Sequence, residues 1–145
     1  MVDNGLNNIN RTLSVVRNPF DKVISVYGWA IQKKQIPEDI SFSDFILKHH
    51  NNKSKNLYED GHWFKAQIEW LISNKGTVPN IIRFESINTD FGKFCHKNKL
   101  NIILPHKNRN NKKPKQPYQK LYDKETRGII ENVYKKDFEY FDYKW

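Results

Sequence analysis

Apolar residues along the chain alternate between two rhythms. Thr12 to Val16 form a short β-branched and apolar run, read as a strand buried on both faces. Asn18 and Pro19 then change the rhythm: Asn caps a helix and Pro suits its first position. Phe20, Val23, Ile24, Tyr27 and Ile31 follow at helical spacing on one face. Gln35 to Asp39, with Pro37, read as a turn. Ser41 caps a second helix, with Asp44 three residues on as in a capping box and Phe42, Phe45 and Ile46 on the buried side. Residues 49 to 56, H-H-N-N-K-S-K-N, read as a polar loop, with His49 and His50 as surface residues lacking metal-ligand partners. A third helix is expected from Gly61 or His62 to Ser73, burying Trp63, Ala66, Trp70 and Leu71. After a turn, Asn80 to Phe84 form a second strand, followed by a short helix with Phe91, Phe94 and a core Cys95. Asp123 caps a last helix through Ile129, Ile130, Val133 and Tyr134, and the aromatic tail from Asp137 to Trp145 is expected to pack back on the body.

This pattern predicts a helix-rich α/β fold with a small parallel sheet, strands near 12–16 and 80–84, in a single domain spanning residues 1–145. Two strands make a poor sheet by themselves, so further strands are expected outside this stretch.

Charge sharpens the picture. The 145 residues carry a formal net charge of +9, which points to an anionic partner such as a nucleotide, a nucleic acid, an acidic glycan or a membrane surface. The most basic stretch is 105–117, P-H-K-N-R-N-N-K-K-P-K-Q-P, whose only apolar side chains are its prolines; it reads as an exposed loop. The single cysteine excludes an intramolecular disulfide and a multi-cysteine zinc site. No apolar run approaches the length of a membrane span, and the polar start of the chain lacks a signal peptide's apolar centre. The expectation is a soluble, cytoplasmic protein.

The stretch S-V-V-R-N-P-F-D-K-V-I-S-V-Y at 14–27 holds the candidate chemistry. Ligands of open α/β sheets sit beyond the carboxyl ends of the strands, where Arg17 lies. The helix starting at Asn18 and Pro19 presents N–H groups and a positive dipole end there. Ser25 lies roughly 9–10 Å along that helix, at ~1.5 Å per residue, on the polar side with Asp21 and Lys22. The guanidinium fork of Arg17 and the Ser25 hydroxyl can therefore grip one phosphate. The alternative is that Arg17 pairs with a carboxylate and Ser25 is a solvated helix serine.

The same stretch resembles the 3′-phosphate-binding segment of sulfotransferases, in the branch that includes the carbohydrate sulfotransferases. These enzymes use 3′-phosphoadenosine 5′-phosphosulfate (PAPS) and release adenosine 3′,5′-bisphosphate. Arg17 and Ser25 match the two residues that hold the 3′-phosphate, and Lys22 stands where a second arginine is usual. Further similarities run in order along the chain: F-S-D-F-I at 42–46, H-W-F-K-A-Q at 62–67, I-I-R-F-E-S-I at 81–87, L-P-H-K-N at 104–108 and Y-K-K-D-F-E-Y-F-D-Y at 134–143. The resemblance implies a P-loop-hydrolase-like sulfotransferase fold and transfer of a sulfuryl group to a hydroxyl acceptor, a glycan in this branch, without a metal. It makes Arg17, Asn18, Ser25, Lys107 and Arg109 the nucleotide-binding candidates, with His106 and Asn108 beside them. His62 is the candidate base, the alternative being a residue that buttresses the Trp63 helix. Glu85 is the candidate for orienting acceptor or donor, the alternative being a cap or a partner for Arg83. The resemblance also places a phosphate-cradling loop with a lysine before the Arg-Asn-Pro segment. Residues 1–11 do not contain one, so the chain is expected to match the C-terminal part of such an enzyme, with an exposed sheet edge that favours pairing with another copy.

Two other readings compete. One is a basic nucleic-acid-binding module using Lys107 to Lys115, against which the aromatics sit at helix-core spacing rather than among the basic residues. The other is a non-catalytic relative that binds nucleotide or glycan.

Overall fold

The computed structural model describes residues 12–51, 65–72, 80–105 and 111–145. The chain divides into two compact units, one formed from residues 1–17 and 69–107 and the other from residues 18–68 and 108–145.

In the first unit, β1 (Leu13–Val16) pairs in parallel with β2 (Asn80–Arg83), Leu13 opposite Asn80 and Val16 opposite Arg83. The Asn80 side-chain amide donates to the Thr12 carbonyl at 2.9 Å and closes the start of the ladder. β2 runs into a 3₁₀ turn, Phe84–Ser86, and then into a helix at Ile87–Lys97. The carboxylate of Asp90 accepts from the Ser86 hydroxyl and from the Arg83 N–H, fixing the turn between strand and helix. The Ser86 hydrogen bond also holds the Asp90 carboxyl below the usual carboxylate range. Val16, Ile82 and Cys95 are buried, as the sequence predicts for Cys95. The strand Leu13–Val16 is not buried on both faces, however: Val15 is 49% exposed. A strand alternates its side chains, and only the Val16 side faces the interior.

In the second unit, α1 (Pro19–Gln32) and α2 (Phe42–Asn51) pack with α5 (Lys124–Val133) and α6 (Lys135–Phe141). For continuity, α3 is the short helix Ile68–Leu71 and α4 the helix Ile87–Lys97. α1 starts as its sequence dictates: Pro19 occupies the first turn, and the Asn18 side chain accepts from the Phe20 N–H at 3.0 Å. Its apolar stripe, Phe20, Val23, Ile24 and Ile31, meets Phe45, Ile46, Ile130 and Tyr134 in one core. Phe20 is the hub, with ring contacts to Tyr118, Tyr122, Phe138 and Trp145, so the aromatic tail does fold back. α2 is capped by Ser41, whose hydroxyl accepts from the Asp44 N–H and donates to the Asp44 carboxylate. Asp123 and Thr126 form a reciprocal capping box at the start of α5.

Two expectations fail here for physical reasons. The helix expected from residue 61 or 62 to 73 is helical only at Ile68–Leu71 among its described residues. Ala66 is buried ahead of that helix, and Trp70, 54% exposed, is not a core residue. The cause lies seventy residues away: the Asp137 carboxylate takes the N–H groups of Gln67 and Ile68, at 2.8 and 2.9 Å, and caps the helix there. Trp63 lies outside the described residues. The polar loop expected at 49–56 begins later, because α2 continues to Asn51. His49, four residues after Phe45, packs its ring against it at 4.4 Å and is half-buried rather than a surface residue. Burial pushes its pKa down, helped by Lys48.

Among the described residues, Gly28 is the one glycine forced by a close approach. A Cβ there would lie 2.7 Å from the backbone of Lys113. Lys113 pairs with Asp21, and Lys112 with Glu38 at 3.2 Å, so this described part of the basic stretch lies along α1.

Candidate functional site

Arg17 is the residue that follows β1, and Phe84 is the residue that follows β2. The parallel register sets Val16 opposite Arg83 and so brings the next residues of the two strands together. The Arg17 guanidinium carbon stands 4.1 Å from the centre of the Phe84 ring, a cation–π contact within the first unit. Glu85 is exposed in the 3₁₀ turn beside it.

Asn18, Lys22 and Ser25 belong to the second unit. Asn18 is buried; besides capping α1 it donates from its amide to the Lys144 carbonyl at 3.2 Å. Its own carbonyl accepts from the Lys22 N–H at 2.8 Å, the first turn of α1. Ser25 is half-buried one turn further along. Asp21, on the same helix, is held by Lys113. His62, His106, Lys107, Asn108 and Arg109 lie outside the described residues.

Lys22 departs from the polar face on which its position suggested it would lie. Its ammonium reaches inward, 4.8 Å from the Tyr134 ring centre and 3.4 Å from the Lys65 carbonyl, which accepts from it. Burial pushes its pKa down to about 8, against the opposing pull of the Asp137 carboxylate. Between pH 8 and 10 the unfolded chain therefore holds a proton that the folded chain has lost, and stability rises with pH across that window. The charged amine costs the folded state about 3 kcal/mol at neutral pH by this linkage. Lys22→Met is expected to be more stable than the native chain at pH 7, by about 2 kcal/mol once its lost ring contact is allowed for. Urea unfolding at pH 7 and 10 checks this: the gap should close by pH 10, and a pH-independent gap rules the linkage out. Above pH 10 the slope reverses, because burial raises the pKa of Tyr122 and Tyr134 and folding then opposes their ionisation.

Sequence reasoning missed the residue that organises this side of the second unit. Asp137 is fully buried, and its two oxygens accept from the Gln67 N–H, the Gln67 side-chain amide at 3.1 Å and the Ile68 N–H. Three separate motifs meet there: Lys22 of the Arg-Asn-Pro segment, Gln67 of H-W-F-K-A-Q, and Tyr134 with Asp137 of Y-K-K-D. The available signal was a carboxylate three residues after Tyr134, in line with the buried Ile130 and Phe141.

The family model of the sulfotransferase family matches residues 2–144, nearly the whole chain, and the protein belongs to that family. No curated protein and no solved structure matches it. Among the described residues no group of His, Cys, Asp and Glu could hold a metal ion, and no helix is long and apolar enough to cross a membrane.

Proposed function

We propose that the protein transfers a sulfuryl group from PAPS to a hydroxyl acceptor, a carbohydrate as in the branch it resembles, and that Arg17 and Ser25 hold the donor's 3′-phosphate. The observation that carries this reading is the passage from β1 into α1. An arginine at the carboxyl end of a parallel strand is followed at once by a helix capped through Asn18 and Pro19, in a chain of the sulfotransferase family. The donor set suits a phosphate: a planar guanidinium and a hydroxyl, both hydrogen-bond donors. The bound donor supplies the activated sulfuryl group. A new bond forms between the acceptor oxygen and sulfur as the bond from sulfur to the 5′-phosphate oxygen breaks, releasing adenosine 3′,5′-bisphosphate. The acceptor's hydroxyl proton passes to a base, for which we propose His62. Lys107 and Arg109 offset charge on the nucleotide, and Glu85 orients the acceptor.

The test is transfer of radiolabelled sulfur from PAPS to a panel of neutral and acidic glycans by the native chain. Label in at least one glycan, and its loss in Arg17→Ala, is the expected result. Nucleotide binding with no label in any hydroxyl acceptor would instead make the protein a non-catalytic relative.

A further inference from the structure

We propose that Phe84 is a positioning residue for the anion site, restraining over its ring the Arg17 guanidinium that takes a phosphate; this rests on the assignment of Arg17 to the 3′-phosphate. Three observations in the first unit support it. The parallel register brings the residues after β1 and β2 together, so this contact is set by backbone pairing and not by a long side chain's wandering. Phe84 is 44% exposed, an expensive place for a large ring whose only role is burial. The turn that carries the ring is itself fixed, with the Asp90 carboxylate accepting from the Ser86 hydroxyl and the Arg83 N–H on either side of Phe84.

The physics favours such a device. An arginine side chain loses much of its rotamer freedom when it is fixed on a ligand. A ring that stacks on its π face restricts those rotamers before the ligand arrives, which is preorganisation. The ring attracts the guanidinium through its π face, whereas hydrogen bonds to phosphate are made by the guanidinium N–H groups, so the two interactions are of different kinds and can operate together. The site then depends on an aromatic side chain at position 84, and on its flat face rather than on any polar group.

The experiment is calorimetric titration of the full chain with adenosine 3′,5′-bisphosphate, using the native protein, Phe84→Leu, Phe84→Tyr, Arg17→Ala and the Arg17→Ala/Phe84→Leu pair. Phe84→Leu is expected to bind 5–10-fold more weakly, Phe84→Tyr within twofold of native, and the pair no more weakly than Arg17→Ala alone. In the free proteins, the Arg17 δ-proton resonances should be shifted upfield by the ring in the native chain and in Phe84→Tyr, and not in Phe84→Leu. That readout needs no nucleotide, and the dispersion of the backbone amide resonances in the same spectra shows that each variant is folded. Native-like affinity in Phe84→Leu, with Arg17→Ala still defective, overturns the inference and leaves the 3′-phosphate assignment standing. Absence of binding by the native chain overturns that assignment, and the inference with it.

Discussion

Asp137→Ala is expected to lower the stability of the protein by about 3–4 kcal/mol. The carboxylate is fully buried and accepts three hydrogen bonds, two of them from backbone N–H groups at the start of α3. A hydrogen bond to a charged group contributes about 1.5–3 kcal/mol, and a buried donor left without a partner costs about 1–3 kcal/mol. These figures overlap rather than add, since one cavity and one water can relieve part of the loss. A loss of this size is a large share of an ordinary domain's 5–15 kcal/mol. Asp137→Asn should fall between, because an amide keeps one acceptor oxygen and turns an NH₂ towards a donor. The same replacement removes the charge that holds up the Lys22 pKa, so Lys22 should titrate lower still. Urea unfolding at pH 7 measures the first effect. A loss under 1 kcal/mol in Asp137→Ala would mean that the clamp on residues 67 and 68 carries little of the fold.

The second large effect is on binding. Arg17→Ala is expected to weaken adenosine 3′,5′-bisphosphate about 100-fold, or about 3 kcal/mol, the range for a charge-assisted contact from a planar fork to a phosphate. Stability should change much less, because Arg17 is half-buried at a strand end rather than in the core. Raising the salt should weaken nucleotide binding by the native chain and by Arg17→Ala alike, since the net charge of +9 draws any anion, while only the native chain should favour the 3′-phosphate.

Much of the architecture was legible because its causes are local. Asn18 and Pro19 set the start of α1 within two residues, and Asp123 with Thr126 set the start of α5 within four. The two strands stand out because β-branched runs are bounded by polar turns, and they pair in parallel as expected. What was not legible is set from far along the chain. The helix at 68 starts where it does because a carboxylate at 137 caps it. Lys22 looked like a solvated residue by its place on α1, yet its long stem reaches Tyr134 and the Lys65 carbonyl. Phe84 read as the last residue of a strand; only the register of β1 on β2 brings it to Arg17. The candidate site followed the same division. Its motif could be read from residues 14–27, but the ring that braces its arginine could not.

The central claim, that Arg17 reads a 3′-phosphate, is tested most directly by comparing two nucleotides on two proteins. Adenosine 3′,5′-bisphosphate and adenosine 5′-monophosphate are titrated into the native chain and into Arg17→Ala under one salt condition. The account predicts that the native protein prefers the 3′-phosphorylated nucleotide by at least ~30-fold, and that the preference collapses in Arg17→Ala. Equal binding of the two nucleotides by the native chain, or a preference that survives Arg17→Ala, would contradict it.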